Sequence, residues 1–194
     1  MKKALGCIRA AVCVCLALAS AAGAFAQGAH GQAPKGEQKP IVFDEFPSSL
    51  GVSFITPETI GLSWKRWYGK TALELSAGGF WNPSNDSGSR YRYSVMGAVS
   101  RRLYADDFAN WFSGGLYLVA LAGHSGEEGV EWDMDTSSYT RLGYQPAIYA
   151  GAGLGIETVL FRHFSQELQF VYVGKFLSDP GIGFALNVAV RYRY

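Results

Sequence analysis

From Leu50 to Tyr194 the hydrophobic and polar positions recur with a period of two. The last stretch is the cleanest. Phe184, Leu186, Val188, Val190, Tyr192 and Tyr194 fall on one face, and Ala185, Asn187, Ala189, Arg191 and Arg193 on the other. In a β-strand successive side chains point to opposite faces, so this period predicts strand. Eight strands are expected: Leu50–Ile55, Thr59–Tyr68, Thr71–Trp81, Arg90–Tyr104, Trp111–Gly123, Tyr144–Leu160, Gln166–Leu177 and Ile182–Tyr194. No amphipathic helix longer than a turn or two is predicted. Connections at Gly69-Lys70, Ala105–Asn110 and Phe161–Ser165 fall at one end. Those at Thr56–Glu58, Asn82–Ser89, His124–Gly143 and Ser178–Gly181 fall at the other.

The same parity sorts side chains between two surfaces. Leu62, Trp64, Leu73, Leu75, Ala77, Ile148, Leu154 and Ile156 share one face. Lys65, Glu74, Ser76, Tyr149, Gly151, Gly153, Gly155 and Glu157 share the other, with Arg92, Ser100, Arg102, Gln169 and Lys175. If the sheet closes, five inward charges lie at similar height: Lys65, Glu74, Arg102, Glu157 and Arg191. An enclosed charge must be paired or hydrated. Glu74 and Glu157 are therefore expected to pair with some of these cations and to fill a narrow lumen.

The N-terminus changes the picture. Lys2, Lys3 and Arg9 precede an apolar run, Ala10–Ala22, and Ala24-Phe25-Ala26 fits a signal-peptidase site. A cleaved Sec-type signal at residues 1–26 is expected. Neither Cys13 nor Cys15 has a lipobox before it, so Cys7, Cys13 and Cys15 would leave with the signal. Residues 27–47, rich in Gly, Gln, Pro and Lys, are expected to form a flexible periplasmic lead-in, and residues 48–194 the barrel. The run is too short for a stable spanning helix.

A signal segment followed by alternating strands and an aromatic last residue resembles the small outer-membrane β-barrels of the OmpA, OmpX and opacity-protein type. The likeness covers Leu50 to Tyr194 and rests on the terminal strand, the alternation and the loop rhythm. It implies an all-β, antiparallel up-and-down transmembrane barrel of about eight strands in the cell outer membrane. Val188, Val190, Tyr192 and Tyr194 would then be the signal read by the barrel assembly machinery. Outer-membrane lipid and lipopolysaccharide would be its surroundings. The end turns named first become periplasmic and the longest loop becomes external. Aromatic residues also cluster at predicted strand ends: Trp67, Tyr68, Tyr104, Trp111, Phe112, Phe161, Tyr192 and Tyr194 at the inner end, and Trp81, Tyr91, Tyr93, Tyr144 and Phe176 at the outer. Amphipathic rings favour the headgroup level.

Charge narrows the function classes. The chain has 17 Lys+Arg and 16 Asp+Glu, and loss of Lys2, Lys3 and Arg9 leaves 14 cations, a net of about −2. No basic excess points to nucleic acid. Gly151-Ala152-Gly153-Leu154-Gly155 sits within one alternating strand and leads into no helix, which excludes dinucleotide binding.

Three candidate chemistries remain. His163 and Ser165 match the His-x-Ser element of the lipid A deacylase PagL, where His activates Ser against an ester. Gln166 stands where that family has Asn, and Glu167 is placed to orient His163 or to be a solvated turn residue. His124, Ser125 and Asp133 are a second acyl-transfer set. Glu127, Glu128, Glu131, Asp133 and Asp135 make the expected surface loop acidic, without the spacing of an EF-hand. No metal or cofactor is expected. The leading reading is a non-enzymatic barrel with a structural or surface-interaction role. A lipid A-modifying enzyme and a narrow channel are the alternatives.

Overall fold

The chain's structure, a computed structural model, describes residues 40–55, 59–81, 91–134, 137–177 and 180–194. The expected signal, most of the lead-in and the loops at 56–58 and Asn82–Ser89 lie outside them. Alternation over β-branched and aromatic residues produces eight strands. They are β1 (Ser48–Ile55), β2 (Thr59–Tyr68), β3 (Thr71–Trp81), β4 (Tyr91–Ala109), β5 (Phe112–Asp133), β6 (Ser138–Leu160), β7 (Phe164–Leu177) and β8 (Gly181–Arg193). Each pairs antiparallel with the next. β8 returns to β1, joining Ser49 to Arg193 and Phe54 to Val188, so the sheet is a closed barrel. Closure leaves no barrel edge to pair with another chain.

The outer wall is apolar, and the interior holds charged side chains together with an apolar set that includes Met96, Val119 and Leu121. Leu62 is 68% exposed, Leu75 59% and Phe54 56%, whereas Lys65, Glu157 and Arg193 are fully buried. In a closed eight-stranded sheet the interior holds little more than its own side chains. Parity decides which residues they are.

The structure corrects five expectations. The connection expected at His124–Gly143 is mostly strand. β5 and β6 stay in register as far as Asp133 opposite Ser138, with one irregularity at Gly129/Val130. Backbone pairing continues there although the alternation ends, because a ribbon beyond the barrel has no buried face to demand apolar residues. Ala105–Asn110 likewise belongs mainly to β4, which has register shifts between Arg102 and Tyr104 and between Asp107 and Ala109. These bulges keep the strand paired while resetting its parity. The expected turn at Phe161–Ser165 shortens to 161–163, with Phe161 and Arg162 at positive φ.

Of the expected flexible lead-in, residues 40–47 are described, and they fold against the barrel. A single helical turn, α1 (Val42–Glu45), enters the barrel at the end where the chain's last residues lie. Val42 and Phe43 are buried there. Trp67, expected in an aromatic girdle, is 3% exposed and points inward, edge-on to Phe43 and Tyr117. Its place in β2 alternates with Lys65 and Ser63, which also face in. At the turn between β2 and β3, Gly69 has φ +60, a conformation that non-Gly residues adopt only with strain.

Candidate functional site

Strand parity brings six charged side chains together in the lower half of the lumen, the half nearer α1. Lys65 comes from β2, Glu74 from β3, Glu157 from β6, Glu167 from β7, and Arg191 and Arg193 from β8. Lys65 donates through Nζ to Glu157 Oε2 at 3.1 Å and to Glu167 Oε1 at 2.6 Å. Arg191 is paired with both Glu74 and Glu167. Arg193 donates through Nη1 to Glu157 Oε1 at 2.5 Å. Three cations thus face three carboxylates, and each of these side chains is at most 2% exposed.

Neutral donors use the remaining carboxylate lone pairs. Ser165 donates to Glu157 at 2.7 Å, and Gln169 to Glu74 at 3.0 Å and Glu167 at 2.8 Å. Tyr117 donates to Glu167, and Arg191 Nε donates to the Ser63 hydroxyl at 2.8 Å. Among the described residues this pairing leaves only Arg193 Nη2 of the cluster without a hydrogen-bond partner, and it is what allows the ions to remain buried, since an unpaired charge here would cost several kcal/mol.

Below this layer lies an aromatic floor. Lys65 Nζ stands 4.1 Å from the Tyr117 ring centre and 4.9 Å from that of Trp67. The Arg193 guanidinium lies 4.7 Å from the centre of the Phe43 ring, and Arg102 5.7 Å from it. Phe43 therefore offers π faces to two cations as it fills the mouth. The helical turn is tied to the rim on three sides. Arg102 donates to Asp44 at 2.8 Å, Arg162 pairs with Glu45, and the Val42 N–H donates to Asp107 at 3.3 Å. Arg193 Nε also donates to the Phe46 carbonyl at 3.1 Å.

Above the charges the lumen opens into a vestibule of about 280 Å³ lined by Met96, Leu121, Tyr149, Lys175 and Asn187. The Tyr149 and Ser94 hydroxyls share a 2.7 Å hydrogen bond across it.

Of the five charges expected at one height, the structure groups Lys65, Glu74, Glu157 and Arg191. Arg102 lies apart, at the rim with Asp44 and the Gly69 carbonyl. Two members of the cluster were not in the expected set. Glu167, read either as orienting His163 or as a solvated turn residue, is buried and central to the network. Its parity with the inward Gln169 was the available signal. Arg193 shares the parity of Arg191 in the same way.

The His163–Ser165 pair points two ways. The Ser165 hydroxyl is buried against Glu157, whereas His163 stacks on Tyr192 at 5.2 Å and shares a 2.9 Å hydrogen bond through Nδ1 with the Arg193 carbonyl. Each is held by its own partner, and the ring nitrogen on this side faces a main-chain oxygen rather than the serine. His124 lies at the other end, 3.3 Å from the Tyr93 hydroxyl, which itself meets Tyr144 at 2.5 Å. Of the acidic set, Glu127 accepts from Arg92 Nε at 2.8 Å. Glu128 is paired in register with Tyr144, and Glu131 and Asp133 lie in the upper part of β5. Asp135 is outside the described residues. Among the described residues no group of three or more His, Cys, Asp or Glu is arranged to hold a metal ion. Val190, Tyr192 and Tyr194 face outward beside the half-buried Val188.

No protein-family model matches the sequence, and no curated protein matches it. Among solved structures the fold is similar to that of the N-terminal β-barrel domain of OprF from Pseudomonas aeruginosa. Identity is 14% and the TM-score 0.45, over 76% of this chain and 95% of that domain.

Proposed function

We propose that the chain is a closed, non-enzymatic outer-membrane barrel that serves as an anchor and presents the β5–β6 hairpin at the cell surface. The observation that carries this reading is the inversion of polarity, with aliphatic and aromatic side chains on the outer wall and a paired ion cluster within. In water such a wall would be a very large exposed apolar surface, which monomeric soluble proteins avoid. In a bilayer it is the required lipid face, and a closed sheet satisfies every backbone group in the wall. Outward Tyr68, Tyr104, Trp111 and Phe161 at one end, and Trp81, Tyr144 and Phe176 at the other, suit the two interfaces. Export by the N-terminal segment and insertion by the assembly machinery, with the last strand as its signal, belong to the same proposal.

The ion cluster and the α1 plug together favour a non-conducting lumen over the channel alternative. The separated His163 and Ser165 give the deacylase alternative no support.

Electrophoresis of outer-membrane fractions with and without boiling tests the reading. A species whose mobility shifts only on heating, and whose purified form is silent in planar bilayers, is the expected result. Recovery in the periplasm with no heat shift would refute it.

A further inference from the structure

The outer wall is not uniformly convex. Over β3 to β6 it sinks into a groove of about 870 Å³. Leu73 and Leu75 form one bank and Leu154 part of the other, while Gly97, Ala120 and Ala152 leave the floor low. At Gly97 the missing Cβ would lie in ordinary contact with the Leu75 side chain, so the shallow floor belongs to the outer face. The volume is that of a small-molecule site, yet the lining is almost wholly hydrocarbon.

One end is different. Arg101 lines the groove at the α1 end of the barrel, turned outward by the parity that sends Ser100 and Arg102 in. Its Nη1 donates to the Thr71 hydroxyl at 3.0 Å, and among the described residues it has no carboxylate partner. Arg66 faces outward two strands away, its guanidinium 5.4 Å from the Tyr68 ring centre, and Lys70 is exposed in the intervening turn. The nearest outward acid along β4, Asp106, lies beyond the bulge and accepts from Tyr104. Arg101 thus stands at one end of an apolar trough, with Arg66 on β2 and Lys70 in the β2–β3 turn as further outward cations at that end of the barrel.

We propose that this groove is a binding site for an anionic glycerophospholipid of the inner leaflet. One acyl chain lies along the low floor between the leucine banks. The phosphate sits at Arg101, within reach of Arg66 and Lys70. The inference rests on the membrane placement proposed above, which puts the α1 end at the inner leaflet. Charge complementarity selects this occupant. A purely apolar partner would leave Arg101 unmatched at the lipid face, and a second copy of the chain would oppose Arg101 with like charge under two-fold symmetry.

Native mass spectrometry of the full chain in a non-ionic detergent tests it, with palmitoyl-oleoyl phosphatidylglycerol as the probe. The expected result is one retained lipid per chain. Arg101→Ala should weaken retention about fivefold, in line with one juxtamembrane cation. Ala120→Phe, which fills the floor, should abolish it, and Val52→Ala on β1, whose cross-strand partners Leu62 and Val190 lie outside the groove, should leave it unchanged. Diacylglycerol with the same chains should be held no better than phosphatidylglycerol is by Arg101→Ala. Equal retention by all these proteins, or a lipid-free dimer mass that Ala120→Phe converts to monomer, would overturn the proposal. Heat-shift electrophoresis of each sample separates the two claims. A heat-shifting barrel without lipid selectivity refutes the groove alone, and a protein without a heat shift refutes the membrane reading.

Discussion

Glu157 and Glu74 occupy similar depths but carry different loads. Glu157 receives Lys65, Arg193 and the Ser165 hydroxyl. Glu74 shares its main cation, Arg191, with Glu167. Glu157→Ala therefore strands one end of two buried cations and should cost about 3–5 kcal/mol, whereas Glu74→Gln keeps a polar partner and an alternative carboxylate and should cost less than half as much. Urea titration of the unboiled, folded form measures both. Equal losses would contradict the pairing described. Gly155 offers a second test, because the Tyr117 ring lies where its Cβ would be. Gly155→Val should cost about 1–3 kcal/mol through overpacking and should displace Tyr117 from Lys65. A midpoint equal to that of the unsubstituted protein would show that the ring moves freely. Much of this cluster was legible as parity, since Lys65, Glu74, Glu157 and Arg191 follow from counting by twos. Glu167 needed the same count carried back from Gln169 within the expected strand Gln166–Leu177. Phe43 had no such signal, because its burial depends on a tertiary contact between a short segment and a barrel mouth.

At the scale of elements, α1 and the ion cluster close the lumen in series. Removing the first should leave the second in place. Val42→Ala with Phe43→Ala is expected to expose Trp67 to aqueous quenchers while planar-bilayer conductance stays at baseline. Conductance is expected only when Lys65→Ala, Glu167→Ala and Arg191→Ala are added. A channel in the Val42/Phe43 variant alone would mean that the cluster does not seal. Strand lengths were the least legible feature. Alternation marks a strand only where one face is buried and the other is not, so it fades where β4 runs past the end of β3 below and as β5 and β6 leave the barrel above. Turn chemistry did survive at Gly69-Lys70, where the positive φ of the backbone favours glycine. Among the described residues the upper ribbon pairs only with itself beyond Arg92 and Glu127. Replacing residues 130–142 with an Asn-Gly turn should therefore shift unfolding stability by no more than about 0.5 kcal/mol, measured by urea midpoint. A large loss would place part of the barrel's stability in the ribbon.

At the scale of the molecule, closure by β1 and β8 was beyond the reach of sequence, which shows parity within strands but not which strands meet. β5 shows what the closed form adds. Its 22 residues make an unbroken strand, roughly 75 Å along its path at the usual rise per residue. It is hydrogen-bonded to β4 and β6 along most of that length. Near its base Gly115 lies against Phe43, and Tyr117 holds Glu167. The projecting tip and the floor of the barrel are thus two ends of one stiff rod. A sideways force on the tip becomes a torque about the rim, and the short arm of that lever bears on the plug.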